Sequence, residues 1–132
     1  MPSISSRSWP GSGPVVLVGH SYGGAVTSNA AVGRENVKAL VFVAAFVPEA
    51  GESIGELSGR YRAPPLGGTI EPGKPPDGTA DLYIAQDRYR RQFAAGLGVE
   101  QAALDAVAEC PLRDVALDEA SGEDMVRSSL RP

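Results

Sequence analysis

With 132 residues, the chain has the length of one domain of modest size, and its 42% of hydrophobic residues is enough to form a core. The net charge of −4 excludes a general attraction to polyanions, so we expect neither nucleic acid nor an anionic membrane surface as a partner. Cys110 is the single cysteine, which excludes an internal disulfide and, with no apolar run near the start of the chain, predicts a cytoplasmic protein.

The first part of the chain predicts one strand-helix-strand unit. Residues 1–14 are rich in Ser, Pro and Gly and predict a disordered leader. VVLV, from Val15, is a continuous aliphatic run that indicates a strand covered on both faces. Small residues up to Gly33 predict a helix close to its sheet, and NVKALVFVAAFVPE predicts a second buried strand over 37–46. Together they predict a parallel βαβ core over 15–49.

Residues 50–132 predict a surface excursion and helices that belong to the same single domain, and the resemblance described below implies that this segment is lid-like. From 50 to 78, many Gly and Pro stand among polar residues without periodicity, so we expect irregular surface chain. DLYIAQDRYRRQFAAGL predicts a short strand or turn entering an amphipathic helix, with Tyr89 and Phe93 on one face. The basic run DRYRR is typical of a solvated helix face rather than of a nucleic-acid contact.

Two more helices are predicted towards the end of the chain. VEQAALDAVAE predicts a helix whose apolar stripe consists of Ala103, Leu104 and Val107. A third helix is expected to begin near Ser121, where SGED caps the turn before MVRSSL. Cys110 has no basic neighbours that would stabilise a thiolate, which indicates a structural role rather than a nucleophile.

Gly19, His20, Ser21, Tyr22 and Gly23 form the pattern GxSxG between the first strand and the helix after it. An abrupt strand-to-helix turn holds the serine in a strained backbone conformation, and glycines two positions to either side avoid clashes of Cβ atoms. The backbone N–H of Tyr22, at the helix N-terminus, then points to where a tetrahedral oxyanion would form. In this context the pattern predicts a nucleophile elbow.

Two other interpretations exist for the same stretch. Ser21 also suits a simple helix cap in the glycine-rich turn of an unrelated α/β protein. A phosphate-binding loop has glycines at this separation, but Ala25 and Val26 stand where Lys and Ser or Thr are needed. Nucleotide binding is therefore not predicted.

The run VVLVGHSYGGAV, with NVKALVFVAAFVPEAGES after it, resembles the α/β-hydrolase superfamily, and within it the esterase-like and hydroxynitrile-lyase-like branch. The resemblance implies a partial α/β-hydrolase fold, with a parallel βαβ core and a mostly helical lid segment. It also implies that Ser21 is the nucleophile and that Tyr22 contributes a backbone N–H to the oxyanion hole. The implied reaction is hydrolysis of a small ester or amide without cofactor or metal; related members are lyases that use the serine and a histidine as acid and base.

A base for Ser21 is not evident in the sequence. A serine hydroxyl becomes an effective nucleophile when an imidazole takes its proton and a carboxylate orients that imidazole. His20 is the single histidine, and because neighbours on a sharp turn point in divergent directions, we assign it a role in packing or in supporting the residues of the site. Glu49 and Glu52 follow the second strand, where some α/β hydrolases carry their acid, but exposed charge is their ordinary interpretation.

The resemblance therefore covers the middle of the fold, from the nucleophile strand through the lid. Early strands, the acid-bearing strand and the histidine loop have no counterpart in the sequence. Two unbroken aliphatic strands also require neighbours on both edges. The alternative to an active hydrolase is a truncated, catalytically inactive chain, unstable alone or held by a partner that covers its exposed sheet.

Overall fold

The computed structural model describes residues 13–61, 65–73, 75 and 78–122. These residues separate into two compact units. Unit one holds residues 13–52 together with 121–122, and unit two holds Ser53–Ala120.

Two predictions fall on residues outside the described ranges. The leader was expected over 1–14, of which 1–12 are not described. The third helix was expected after Ser121, and the description ends at Gly122. The division of the chain into leader, core and lid-like excursion within one domain stays a prediction.

Unit one contains the predicted strand-helix-strand arrangement. The first strand, β1, spans Val15–Ser21, the helix α1 spans Gly23–Ala30, and the second strand, β2, spans Val37–Ala45. The two strands run parallel, with Leu17 opposite Leu40. The parallel βαβ core is therefore confirmed.

The two faces of the β1–β2 sheet differ in their exposure. The first turn of α1 lies over one face, where Leu17 and Leu40 are half-buried. The other face is aliphatic, and its side chains are 43–62% exposed: Val16, Val18, Val41 and Val43. The prediction that both faces are covered is thus wrong for the described residues. An aliphatic run indicates apolar surroundings on both sides, but this unit supplies one described helix, which covers one face.

Unit two combines helices with a small antiparallel sheet. Its elements in chain order are α2 (Ile54–Arg60), a 3₁₀ helix (Pro65–Thr69), β3 (Ile70–Gly73), β4 (Asp81–Ile84), α3 (Gln86–Gln92), α4 (Val99–Ala108), β5 (Leu112–Arg113) and α5 (Val115–Asp118). The strands pair antiparallel in the order β3, β4, β5. The helical character of the segment is as predicted, and β4, α3 and α4 lie where the sequence placed them, whereas the sheet was not predicted.

Regular structure between residues 50 and 78 contradicts the expectation of irregular chain. The helix α2 begins with a capping box: the hydroxyl of Ser53 accepts the N–H of Glu56 at 3.2 Å, and the carboxylate of Glu56 accepts the N–H of Ser53 at 2.9 Å. The composition of a long window hid this local signal, because the capping residues occupy only four positions, SIGE.

Tyr89 lies at the centre of the apolar cluster of unit two. The other buried members and one half-buried neighbour are Ala94, Ala102, Ala106 and Ile84. The ring of Tyr89 lies 5.2 Å from that of Phe93, between centroids, which confirms that they share one face of α3. Burial raises the pKa of the Tyr89 phenol above its ordinary value of 10.0, and the charges of Asp105 and Glu109 raise it further.

The apolar stripe predicted for α4 is wrong. Ala103, Leu104 and Val107 are exposed, whereas Ala102 and Ala106 are buried against Tyr89. This helix is apolar around most of its circumference, so periodicity alone left its orientation open. The alanine face is buried because small side chains let the helix approach an aromatic ring closely.

Candidate active site

Ser21 occupies the abrupt turn between β1 and α1. It is the last residue of β1, and α1 begins two residues later at Gly23. Its φ is +52°, in the left-handed region that a residue with a Cβ rarely adopts. Such a conformation costs about 1–3 kcal/mol and persists only where the surrounding structure enforces it. The strand, turn and helix required around a GxSxG pattern are all present.

Gly19 and Gly24 are the crowded glycines of this turn. A Cβ on Gly19 would lie 2.5 Å from the carbonyl oxygen of Gly23, and a Cβ on Gly24 would overlap the carbonyl oxygen of Phe46. A Cβ on Gly23 would meet no atom within 4 Å. The prediction that the glycines on both sides of Ser21 avoid a clash is therefore right for Gly19 and wrong for Gly23, whose place is taken by Gly24.

The helix α1 is built to lie close to the sheet. Gly24, Ala25 and Ser28 are its buried residues, and all three are small. The hydroxyl of Ser28 donates to the carbonyl of Gly24 at 2.8 Å, so this buried polar group is satisfied within its own helix. Tyr22 is the N-cap residue, which places its backbone at the positive end of the helix dipole. This is the position from which the sequence predicts an oxyanion donor.

The end of β2 lies beside Ser21 and is irregular. The backbone N–H of Phe46 donates to the carbonyl of Ser21 at 3.0 Å. Just before it, Ala44 has a φ of +42°, which makes Ser21 and Ala44 the two described non-glycine residues with positive φ. The sequence analysis missed Ala44, since alanine in an aliphatic run carries no signal for a left-handed backbone.

A comparison with protein families agrees with this geometry. The model of a family described as the alpha/beta hydrolase family matches residues 4–129. The chain belongs to the alpha/beta hydrolase family. A search of curated proteins finds no match. Family membership confirms the resemblance and the fold class.

An alpha/beta hydrolase of this kind needs a base, and the position of His20 argues against that role for it. His20 lies opposite Val43 in the β1–β2 pairing, and it follows Val16 and Val18 at every second position of β1, on the same side of the strand. It therefore belongs to the exposed valine face of the sheet, opposite the face that α1 covers. His20 is itself exposed there, so its packing or supporting role stays a prediction.

The two candidate acids after β2 form a turn. The carboxylate of Glu52 accepts the backbone N–H of Glu49 at 2.6 Å, and the backbone N–H of Glu52 donates to the carbonyl of Glu49 at 3.0 Å. The carbonyl of Glu52 also accepts the N–H of Ser121 at 2.9 Å. These contacts support a structural role for Glu52 rather than that of a histidine-orienting acid.

A metal site, a membrane-spanning helix and a basic contact surface each place a requirement on the described residues. No group of three His, Cys, Asp or Glu side chains among them is placed to hold a metal ion. No helix in the described ranges is long and apolar enough to cross a membrane. Within the basic run, Arg88 donates to the carbonyl of Gly68 at 3.1 Å and Arg90 to that of Leu97 at 3.0 Å, which agrees with a structural role for that helix face.

Proposed function

We propose that this alpha/beta hydrolase acts by acyl transfer through Ser21, on a small ester or amide, without cofactor or metal. The observation that carries the proposal is the left-handed backbone of Ser21 at the junction of β1 and α1. A serine that merely capped the helix would be the N-cap residue in extended conformation, whereas here Tyr22 is the N-cap.

In the proposed reaction, the hydroxyl oxygen of Ser21 attacks the substrate carbonyl carbon and its proton passes to a base. The N–H of Tyr22 donates to the oxyanion, which then collapses as the protonated base gives its proton to the leaving oxygen or nitrogen, so that the alcohol or amine departs. Water next attacks the acyl-serine, releasing the acid and regenerating Ser21. Because His20 lies on the other face of the sheet, imidazole from outside the chain would have to take the proton.

The test is labelling of the 132-residue chain by a fluorophosphonate, with and without added imidazole. We expect one adduct, on the peptide that contains Ser21, and a labelling rate that rises with imidazole concentration. Ser21→Ala should abolish the adduct. His20→Asn should leave both the adduct and the imidazole effect in place, because His20 has no part in the proposed chemistry.

Two results contradict the proposal. One is equal labelling of the Ser21→Ala variant, and the other is no labelling of the folded chain at saturating imidazole. Phosphonylation of Ser21 without any acyl-serine from an activated ester would instead favour lyase chemistry on the same scaffold.

A second candidate function rests on the exposed valine face of the sheet. As the alternative to acyl transfer by the chain alone, we propose that the isolated chain is catalytically inactive and that another polypeptide covers Val16, Val18, Val41 and Val43, which are 43–62% exposed. Monomeric proteins rarely leave a contiguous aliphatic sheet face open. Circular dichroism during heating, together with an esterase assay, tests this. A cooperative transition with catalytic turnover in the isolated chain contradicts it.

We also propose a cytoplasmic location. Cys110 is exposed and carries a free thiol. An exposed unpaired thiol suits a reducing compartment, where it stays reduced. Fractionation of cells that express the chain, followed by thiol labelling of Cys110 before lysis, tests this location.

A further inference from the structure

Ala44 is an extra residue in β2, placed beside the turn that carries Ser21. Along the strands His20 pairs with Val43, and the next pair is Ser21 with Ala45. One step along β1 therefore corresponds to two steps along β2, and Ala44 has no partner of its own in the register. This is the pattern of a β-bulge.

The bulge changes which side chains face α1. In the regular part of β2, Leu40 and Phe42 lie on the covered side, and Val41 and Val43 on the exposed side. Continued alternation would turn Ala44 towards α1 and Ala45 away from it. In the structure Ala44 is exposed and Ala45 half-buried, and the methyl of Ala45 lies 2.8 Å from where a Cβ on Gly24 would be. The bulge therefore moves Ala45 to the helix side.

The bulge also changes which amide reaches Ser21. Without the extra residue, Ser21 would pair with Ala44 and its carbonyl would accept the N–H of Ala45. With it, the carbonyl of Ser21 accepts the N–H of Phe46 at 3.0 Å. The carbonyl of Phe46 in turn abuts Gly24 in the first turn of α1. The segment after the bulge thus contacts the chain on both sides of the turn at Ser21.

We infer that Ala44 is a positioning residue for Ser21. Its left-handed backbone, with φ of +42°, creates the bulge that brings the N–H of Phe46 to the carbonyl of Ser21 and so holds Ser21 at its φ of +52°. The direction of the Ser21 hydroxyl depends on that backbone angle. The structural part of the inference stands alone, and its catalytic meaning rests on the proposed role of Ser21 as nucleophile.

The experiment compares Ala44→Gly and Ala44→Val with Ala39→Val, a matched change in the same strand. Glycine accepts the left-handed region freely, whereas a β-branched side chain opposes it. Ala39 is exposed in β2 and its φ is not among the positive ones, so valine should fit there. All variants are made in the 132-residue chain.

Two measurements separate structure from reactivity. The nuclear Overhauser effect between the amide and Hα protons of Ser21 is strong at positive φ and reports the turn directly. The concentration dependence of fluorophosphonate labelling, in imidazole, gives the maximal rate and the half-saturating concentration. For folded Ala44→Val we expect a weakened effect at Ser21 and a maximal rate lower by about tenfold or more, with the half-saturating concentration unchanged. Ala44→Gly and Ala39→Val should match the wild type in both.

The outcomes are distinct for the two claims. An unchanged signal and labelling rate in folded Ala44→Val overturn the positioning role while leaving the nucleophile proposal intact. If the nuclear Overhauser effect at Ser21 is lost in Ala44→Val, the positioning role is supported even where the wild type is not labelled. The absence of labelling in the wild type then contradicts the nucleophile proposal alone. If Ala44→Val does not fold, hydrogen exchange of the wild-type Phe46 amide decides: slow exchange supports the contact with Ser21, and exchange at the rate of an open amide overturns the inference.

Discussion

Backbone atoms of neighbouring residues surround the turn at Ser21 closely. Gly19 and Gly24 are needed because backbone atoms fill the space where a Cβ would stand. Phe46 also contacts this turn through its backbone. Its N–H donates to the carbonyl of Ser21, and its carbonyl lies against Gly24. A strained residue persists where its surroundings determine it in this way.

This arrangement predicts a sharp difference between two adjacent glycines. Gly24→Ala should lower the free energy of unfolding by at least about 2 kcal/mol, because backbone carbonyls cannot yield as a flexible side chain can. Gly23→Ala, the matched control one residue earlier, should stay within about 1 kcal/mol of the wild type, since its Cβ meets open space and alanine favours helix. Urea unfolding of both variants measures the difference. Equal destabilisation would contradict the claim that backbone atoms crowd the Cβ position of Gly24 but not that of Gly23.

At Tyr89 the buried phenol gives a prediction for alkaline solution. Burial, with Asp105 and Glu109, raises the pKa of Tyr89 above 10.0, so the folded chain holds the phenolic proton more tightly than the unfolded chain does. The associated stability is fully present below pH 10.0 and is lost as the pH rises through the raised pKa.

Tyr89→Phe should therefore lose less stability than the wild type between pH 9 and the raised pKa, in unfolding measured by circular dichroism. In Tyr89→Phe, the ultraviolet absorbance titration of the phenols should also lack the ionisation phase that the wild type shows at the highest pH. Tyr83→Phe is the control, since Tyr83 is exposed in β4. The same loss of stability in Tyr89→Phe as in the wild type would rule out Tyr89 as its source.

Among the elements, α2 depends on a cap that the sequence displays in four letters. Ser53→Ala should lower the free energy of unfolding by about 1 kcal/mol, because the Glu56 N–H loses its acceptor at a buried position. Ser58→Ala, on the exposed side of the same helix, should change it little. Thermal unfolding of the pair measures this, and similar losses at both positions would count against the capping box.

The elements also show what could be predicted from the sequence and what could not. β1, α1 and β2 were predictable because long aliphatic runs and small-residue helices are strong local patterns. The orientation of α4 was not, because alanine, valine and leucine surround it, and the ring of Tyr89 decides which face is buried. The left-handed backbone of Ala44 arises from pairing between distant strands, which no local pattern records.

The candidate site divides in the same way. Ser21, Tyr22 and Gly19 were identified because the GxSxG pattern is a local signature of a strand-to-helix turn. Gly24 and Ala44 were missed because their roles depend on chain segments that are distant in sequence. Gly24 is crowded by Ala45 and Phe46, and Ala44 is set apart by the pairing of β2 with β1. In unit one the elements follow from local sequence, whereas the small sheet of unit two and the packing details of both units depend on contacts between elements.

For the molecule as a whole, the state of the exposed valine face in solution distinguishes a chain that is stable alone from one that requires another surface packed against it. A covered face in solution would contribute to stability, whereas an open one would contribute little and would bind apolar dyes. Val18 and Val41 lie opposite each other at the centre of this face. The half-buried pair Val15 and Val37 offers the same two residue types in the same two strands.

Threonine matches valine in shape and strand preference, so replacing each pair tests burial alone. If the isolated chain is open, Val18→Thr with Val41→Thr should cost less than about 0.5 kcal/mol per site and reduce binding of the dye ANS. Val15→Thr with Val37→Thr should cost about 1 kcal/mol per site, because a hydroxyl loses water there, and leave dye binding unchanged. An equal cost for both pairs would mean that the face is already covered in solution.

In that case, sedimentation of the wild type and of the Val18, Val41 double variant would show what covers it. If a second copy of the chain covers the face, the double variant should dissociate to monomers. If the cover lies within one molecule, both proteins should sediment alike.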